Sequence, residues 1–188
     1  MSWEQVPFGK VLEDASRGNK KTKQSEYADA GAHPVVDQGA GDIAGYVNEQ
    51  SRLCKVNPPV IVFGDHTRAV KYVDFQFAMG ADGTKVLKPK AGNDAKYLYY
   101  AVRALDIPSA GYSRHFKFLK EKTIPLPPLP EQKRIAAILD AADDLRAKRR
   151  ETIKQLDALI QSTFIEMFGD PGTNSMDLTT KQLGELGS

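Results

Sequence analysis

The sequence is poor in cysteine and in long apolar runs, and each shortage excludes a class of protein. Cys54 is the only cysteine among 188 residues, so an internal disulfide is impossible and a cysteine metal cluster is not expected. The sequence contains no run of about 18 apolar residues, the length that would predict a membrane span. The first residues lack the basic and apolar segments of a signal peptide. With 41% hydrophobic and 27% charged residues, we expect a cytoplasmic globular protein.

Catalytic patterns are also scarce. His33, His66 and His115 are far apart, and without spaced cysteines or paired carboxylates they predict no metal site. Residues 80–83 have the composition of a turn and not of a phosphate loop. Residues 57–60, Asn-Pro-Pro-Val, are similar to the Asn-Pro-Pro-aromatic motif of amino methyltransferases, but valine cannot stack on a flipped base. We therefore predict no catalytic residues and interpret this segment as a turn that enters a strand.

Positive charge is concentrated in the N-terminal part of the chain. Residues 1–128 contain 18 lysines and arginines against 14 aspartates and glutamates, whereas residues 129–188 contain 8 against 10. A basic bias of this size permits nucleic-acid binding without establishing it.

The sequence pattern of residues 1–124 predicts an α+β domain built on a mixed sheet. Short apolar runs broken by turn residues predict strands at 35–36, 43–47, 60–63, 69–75 and 116–124. Spacing typical of a helix covers 94–105, with Asn93 or Asp94 as its N-cap.

A proline connector at 125–130 leads into a long helix predicted over 131–168. This second segment contains neither proline nor glycine, and apolar residues recur in steps of three and four. The helix would be roughly 55–60 Å long, so we expect it to protrude from a small domain and to pair, in coiled-coil fashion, with another copy, another subunit, or both. The predicted partner-binding residues are Ile135, Ile138, Ala142, Leu145, Ile153, Leu156, Leu159, Ile160, Phe164 and Met167.

Two features near and beyond the middle of this helix have more than one interpretation. Arg146 and residues 148–150 interrupt the apolar stripe beside three aspartates; they form either a solvated charge patch or a polar marker of register or partner. After the glycine and proline at 169–172 end the helix, residues 178–186 faintly repeat the apolar-glycine pattern of residues 3–11. The tail, 169–188, is thus a candidate for the start of a second domain.

Several strings together resemble one family. They are Pro34–Gly39, Ile43–Tyr46, Val62–Arg68, Phe77–Leu87, Gly111–Phe116, Ile124–Ile135 and Phe164–Pro171. In order and spacing they are similar to one target-recognition domain and one conserved helix of type I restriction–modification specificity subunits. The resemblance implies a subunit with two recognition domains and two helices that pair antiparallel, each domain reading half of a bipartite DNA site. It also implies modification subunits that hold S-adenosylmethionine, and through them a restriction subunit; no cofactor is expected in this chain.

Three basic and polar loops are candidates for contact with DNA. Reading a duplex requires cations for phosphates and bidentate side chains for base edges. One loop covers 17–24, one follows Gly64, and one covers 111–115; each could equally be an ordinary solvated loop or turn. The candidate DNA-binding residues are Lys20, Lys21, Lys23, Gln38, His66, Thr67, Arg68, Lys85, Tyr112, Ser113, Arg114 and His115.

The favoured function is therefore sequence-specific binding of double-stranded DNA by a non-catalytic subunit that directs the methylation or cleavage activity of its partners. A protein–protein adaptor acting through the long helix is the alternative. An autonomous methyltransferase is a third class, and the missing cofactor loop argues against it.

Overall fold

Ten short strands and four helices follow one another in the residues that the computed structural model describes, which are 3–109, 111, 113–174, 176, 178 and 179. The strands are β1 (Gln5–Pro7), β2 (Leu12–Asp14), β3 (Lys21–Thr22), β4 (His33–Val36), β5 (Gly45–Val47), β6 (Val60–Gly64), β7 (Val70–Val73), β8 (Ala78–Gly80), β9 (Thr84–Pro89) and β10 (Thr123–Pro125). The helices are α1 (Phe8–Val11), α2 (Ala95–Arg103), α3 (Phe116–Lys120) and α4 (Leu129–Phe168).

Two four-stranded sheets organise residues 1–139, which form one compact unit. The first sheet has the order β2-β9-β6-β7 and is antiparallel throughout. The second has the order β3-β8-β4-β5; β8 runs parallel to both β3 and β4, and β5 is antiparallel to β4. A separate pair, β1 with β10, brings the two ends of the domain together. The sheets and helices together give the predicted α+β class.

Strand β6 lies at the centre of the packing because both of its faces are buried. Ile61 and Phe63 belong to the core that also contains residues of α1, α2 and α3. Val60 and Val62 belong to a second core, which also contains Phe77, the residue just before β8 of the second sheet. Successive side chains of a strand point to opposite faces, so one unbroken apolar run serves both layers, as a strand buried on two sides requires.

The predicted strands at 35–36, 43–47, 60–63 and 69–75 are present with shifted ends, as is the helix at 94–105, where the Asp94 carboxylate accepts the Tyr97 N–H at 2.8 Å. The predicted strand at 116–124 is wrong in its first half. Residues 116–120 form α3, and only Thr123–Pro125 is extended. Phe116 and Leu119, three residues apart, are both buried, which is the spacing of one helical face; five residues are too few for that period to stand out.

The proline connector is shorter than predicted, because Pro125 belongs to β10 and α4 already begins at Leu129. Pro130 lies in the first turn of α4, where the missing N–H is not needed. The start of α4 is fastened to the domain by Gln132, which is 2% exposed. Its Nε2 donates to the Pro127 carbonyl at 2.9 Å, and its Oε1 accepts the Asp94 N–H at 2.9 Å.

Ile135, predicted to bind a partner, instead packs against the domain core beside buried Ala136. The expectation that it belongs to a free stripe is therefore wrong. The first turns of α4 were expected to lie outside the domain, but Gln132 and Ala136 are buried against it.

From residue 140 onward the chain forms a second unit, which contains the rest of α4. Its apolar residues are open to solvent in the single chain: the seven larger predicted partner residues from Leu145 to Met167 are 49–68% exposed. In the charged stretch, Arg146 pairs with Asp143 at 3.0 Å. Gly169, with φ +75°, ends the helix as predicted. Most of the predicted second-domain start, including 180–188, lies outside the described residues.

Within the described part of the chain, none of the helices combines the length and the apolar character that crossing a membrane requires.

Candidate nucleic-acid interface

Six of the predicted DNA-binding residues meet at one end of the two sheets. They come from five separate segments and line two adjoining clefts of about 290 and 590 Å³, which share Lys21 and Asp82. We call this set the polar rim: Lys21, Lys23, Gln38, His66, Lys85 and Arg114. Residues distant in sequence become neighbours here because β3, β4, β6 and β9 all begin or end at this edge.

The Asp82–Gly83 turn allows the two clefts to adjoin. Both residues have positive φ, +49° and +82°, a conformation that glycine adopts without strain and that aspartate tolerates better than most residues. A Cβ at Gly83 would lie 2.6 Å from both Gln38 Oε1 and His66 Cδ2. Glycine is therefore required at position 83, since any side chain would displace two members of the polar rim.

Gln38 is held at both its backbone and its side chain. Its carbonyl accepts the Thr67 hydroxyl at 2.7 Å, and its Oε1 accepts the His66 N–H at 3.1 Å. A Cβ at Gly64 would clash with Thr67 Oγ1 and lie 2.9 Å from Gln38 Cβ. The end of β4 and the turn after β6 are thus packed as one rigid surface.

Beneath Gln38 lies a polar cluster of Asp37, Tyr27 and Lys71. Lys71 is 6% exposed; its ammonium donates to the Gly41 carbonyl at 2.5 Å and lies 3.7 Å from Asp37 Oδ1. The Asp37 carboxylate also accepts the Gly39 N–H at 2.8 Å and the Tyr27 hydroxyl at 3.4 Å. Burial lowers the pKa of Lys71, against the opposing pull of Asp37. Burial and then the Asp37 charge raise the pKa of Tyr27 to about 12.

Asp65 fastens the segment that carries Arg114. It is 3% exposed, and its Oδ1 accepts the Phe116 N–H at 2.8 Å. Its carbonyl accepts the His115 N–H at 2.8 Å and lies 2.9 Å from His115 Nδ1. Its own N–H donates to the Gly83 carbonyl at 2.6 Å. One residue therefore ties the start of α3 and the Asp82–Gly83 turn to the end of β6.

The cations of the polar rim are mostly available to an anion. Lys85 Nζ lies 3.8 Å from an Asp14 carboxylate oxygen and 5.0 Å from the centre of the Phe116 ring, so its ammonium is only loosely paired. In the described portion of the chain, neither Lys21 nor Arg114 forms an ion pair, and both are exposed.

Comparison with known proteins shows the family of the chain. Residues 2–155 match the family model of the type I restriction modification DNA specificity domain. The chain belongs to this family.

Relatives of the specificity domain include the specificity subunit of the Escherichia coli type I restriction enzyme EcoR124I/EcoR124II, 30% identical over 158 residues, which are 77% of this chain and 39% of that protein. Two crystal structures share the fold. The S subunit of the type I system of M. genitalium has a TM-score of 0.65 at 16% identity over 90% of this chain and 46% of that one. The HsdS subunit of Thermoanaerobacter tengcongensis has a TM-score of 0.55 at 22% identity over 89% and 45%. The chain thus spans less than half the length of each.

Other predicted contacts of the specificity domain have structural roles instead. His115 is 1% exposed and serves the Asp65 network, so its side chain does not face a ligand. Arg68, with φ +61°, donates from Nη1 to the Ile107 carbonyl at 2.9 Å and lines a separate cleft. Thr67 is committed to Gln38. For these three residues the DNA-contact prediction does not fit the geometry, because polar groups of turns are first used to fasten the turns themselves.

The basic loop at 17–24 is more ordered than its composition suggested. Lys21 and Thr22 form β3, and Asn19 Nδ2 donates to the Ala15 carbonyl at 2.8 Å. Lys20 bonds Ser51 Oγ at 3.2 Å and does not line either rim cleft. Ser113 is half-buried, and Tyr112 lies outside the described residues.

Sequence reasoning missed Asp37, Tyr27, Asp65 and Lys71, which support the polar rim. The sequence did indicate a role for Asp37 and Asp65, because each directly follows a strand, β4 and β6, at a point where the chain must turn. It indicated none for Lys71, since a lysine inside a strand is usually solvated.

No group of three or more histidine, cysteine, aspartate or glutamate side chains in the described ranges is arranged to hold a metal ion.

Proposed function

We propose that the specificity domain reads one half of a bipartite duplex DNA site through its polar rim and thereby directs the activity of partner subunits. The observation that carries the proposal is the convergence of lysine, arginine, glutamine and histidine side chains from five segments on one edge. Cations position a duplex through its phosphates, while amide, imidazole and guanidinium groups distinguish base edges.

Within the rim we assign different tasks to different residues. Lys21, Lys23 and Lys85 neutralise phosphates as point charges. Arg114 is exposed and has a planar fork that suits the paired acceptors of guanine. Gln38 gives its Oε1 to the His66 N–H, so its amide NH₂ is the group offered to a base acceptor. Rigid support from Gly83 and Asp65 would keep these donors in place before DNA arrives.

The chain spans less than half the length of these relatives, and we infer that its described domain reads one half-site. We infer that a second copy of the chain, or a second half of a longer subunit, provides the other recognition surface. The stripe of α4, 49–68% exposed from Leu145 to Met167, supports pairing with a second helix; we propose the antiparallel arrangement that the family resemblance implies. Modification subunits, with the restriction subunit bound through them, are the further partners we propose.

We also propose that S-adenosylmethionine and the catalytic groups belong to the modification subunit. This chain would contribute binding and orientation, and no step of the transfer.

The test is transfer of labelled methyl groups from S-adenosylmethionine to a pooled duplex library. Wild-type chain is assayed alone and together with the neighbouring modification subunit, and that subunit is also assayed without the chain. We expect sequence-selective transfer only in the combined sample; transfer by the chain alone would identify an enzyme and refute the adaptor role.

A matched pair of variants locates the surface. Lys21→Gln with Arg114→Gln removes two rim charges, whereas Lys10→Gln with Lys55→Gln removes two exposed charges elsewhere. Losing a base contact costs about 1–3 kcal/mol, and losing a phosphate contact lowers the salt slope of binding by about 1. We expect both effects in the rim variant and neither in the control. Equal behaviour of the two variants would exclude the polar rim.

The second candidate, an adaptor that acts through α4 without reading DNA, rests on the same exposed stripe. It predicts assembly with the modification subunit but no sequence preference in the library, even in the combined sample.

A further inference from the structure

A third cleft lies at the opposite end of the first sheet from the polar rim. It has a volume of about 570 Å³ and is bounded by the turn before β6, the segment between β9 and α2, and the first turn of α4. Strands β6 and β9 run from this cleft to the rim, so the five residue steps of β9 separate them by roughly 17 Å. We call it the lysine cleft. Its charged and amide lining residues are Asn57, Lys88, Lys90, Asn93, Asp94, Lys96 and Lys133.

The charge of the lysine cleft is strongly positive. Four lysines line it against one carboxylate, and that carboxylate, Asp94, already caps α2 by accepting the Tyr97 N–H at 2.8 Å. Glu13 is the cross-strand partner of Lys88, but it is exposed and is not part of the lining. The smaller rim cleft has three cations against two carboxylates. The lysine cleft is therefore the more cationic of the two.

Two of the four ammonium groups are fixed in place. Lys90 Nζ donates to the Gly9 carbonyl at 2.6 Å, and Lys96 Nζ lies 4.0 Å from the centre of the Tyr72 ring. Ordering a lysine costs side-chain entropy, and these contacts meet that cost before any ligand binds. Lys88 and Lys133 are exposed at the mouth. The arrangement is a cationic site with two held lysines inside and two exposed lysines at its entrance.

We propose that the lysine cleft binds an acidic segment of a partner protein. The lysine cleft lies roughly 17 Å from the polar rim, at the other end of the first sheet, so its lysines are not part of the surface that we assign to DNA. The cleft also lies beside the start of α4, the element through which we propose protein partners bind. The inference rests on the proposed function in both of these arguments; the charge and the lining stand without it.

The test uses full-length chain and two probes, a fluorescein-labelled oligoglutamate peptide and a labelled duplex library, both followed by anisotropy. The cleft variant carries Lys88→Gln, Lys96→Gln and Lys133→Gln. The rim variant carries Lys21→Gln, Lys85→Gln and Arg114→Gln, which removes the same charge. We expect oligoglutamate affinity to fall about tenfold in the cleft variant, because three solvent-screened ion pairs each contribute a small factor to the affinity. In the rim variant it should change less than about twofold. Duplex affinity should show the reverse.

A second variant guards against loss of folding. Lys88→Glu with Lys133→Glu changes only the two exposed lysines and leaves the contacts of Lys90 and Lys96 intact. It should also abolish oligoglutamate binding while its thermal unfolding stays that of wild type. If both cleft variants bind oligoglutamate as wild type does, or if they lose duplex affinity instead, the proposal is overturned. Normal duplex binding by the rim variant would refute the DNA-reading role and leave this site standing.

Discussion

Replacing Lys71 with methionine should lower DNA selectivity as well as destabilise the fold. Methionine keeps the length and packing of the buried stem but removes the ammonium, which donates to the Gly41 carbonyl and lies 3.7 Å from Asp37 Oδ1. A lost hydrogen bond from a charged donor costs about 1.5–3 kcal/mol. Asp37, with 18% of its side chain exposed, keeps its bonds to Gly39 and Tyr27 and some contact with water.

An opposing effect reduces the net loss of stability. Burial is the largest influence on the Lys71 pKa and lowers it, so the ammonium is less favourable in the folded protein than in water. Removing the ammonium relieves that desolvation cost, but it also leaves Asp37 without the nearby cation, so the carboxylate depends on its bonds to Gly39 and Tyr27 and on its partial exposure. We expect the free energy of unfolding to fall by only about 1–2 kcal/mol, the difference between the lost bond and the relieved desolvation.

The loop from Asp37 to Gly41, which carries Gln38, would however lose its internal support. Preference for the favoured base over its competitors at the position that Gln38 contacts should fall about tenfold, which corresponds to about 1.4 kcal/mol, within the 1–3 kcal/mol of one base contact. Affinity for non-specific duplex and its salt slope should stay unchanged, since no phosphate-binding cation is removed. Urea unfolding and competition binding with single-base variants of the selected site measure the two quantities. Unchanged selectivity with a large loss of stability would refute the positioning role of Lys71.

Four shorter predictions test other parts of the structure. Gln132→Leu removes both bonds that hold α4 to the domain and leaves the Asp94 N–H without its acceptor, so urea unfolding should show a loss of about 2–4 kcal/mol; no loss would mean that the helix start is not docked this way. Gly83→Ala, at φ +82°, should cost about 1–3 kcal/mol in the same assay and lower selectivity with it, and full retention of both would contradict the close packing at this turn. The difference between wild type and Tyr27→Phe in a phenolate absorbance titration should give a pKa of about 12 for Tyr27. Because this folded-state pKa lies above the usual 10, the stability that Tyr27 contributes is present below pH 10 and is lost as the pH rises towards 12. A pKa near 10 would show that the hydroxyl is not buried against Asp37. Ile160→Asp, at a position 68% exposed, should leave unfolding of the isolated chain unchanged but abolish self-association or assembly with the modification subunit in sedimentation experiments, unless the stripe has no partner.

How well each helix or strand could be predicted from the sequence depended on the length of its pattern. The helix predicted over 131–168 has ten turns in which the apolar period repeats, and its C-terminal end was placed correctly because glycine and proline act locally. The strand predicted at 60–63 was equally secure, since four consecutive branched or aromatic residues suit a strand buried on both faces. By contrast, β3 and β8 are two and three residues long. Such strands exist only because neighbouring strands supply their hydrogen bonds, so no local signal marks them.

The polar rim was harder to predict for a different reason. Composition indicated which loops are polar, and six of the predicted residues do converge, but it did not indicate what each polar group contacts. Arg68 and Arg114 are both exposed arginines beside turns, yet one is bound to the Ile107 carbonyl and the other lines a rim cleft. That distinction depends on which carbonyl oxygens lie within reach once the sheets are packed, which is a property of the tertiary structure.

The roles of His66 and His115 follow from the same reasoning. Both follow a turn and both lie near Asp65, so their sequence surroundings give them similar claims to a functional role. Asp65 decides between them: its buried carbonyl and carboxylate need donors, and the segment 115–116 supplies these through two backbone N–H groups and the His115 ring. His66 immediately follows Asp65 and lines the rim cleft. Asp65 thus holds His115 inside the domain and adjoins His66 at the rim, which is why two histidines in similar sequence surroundings have different positions.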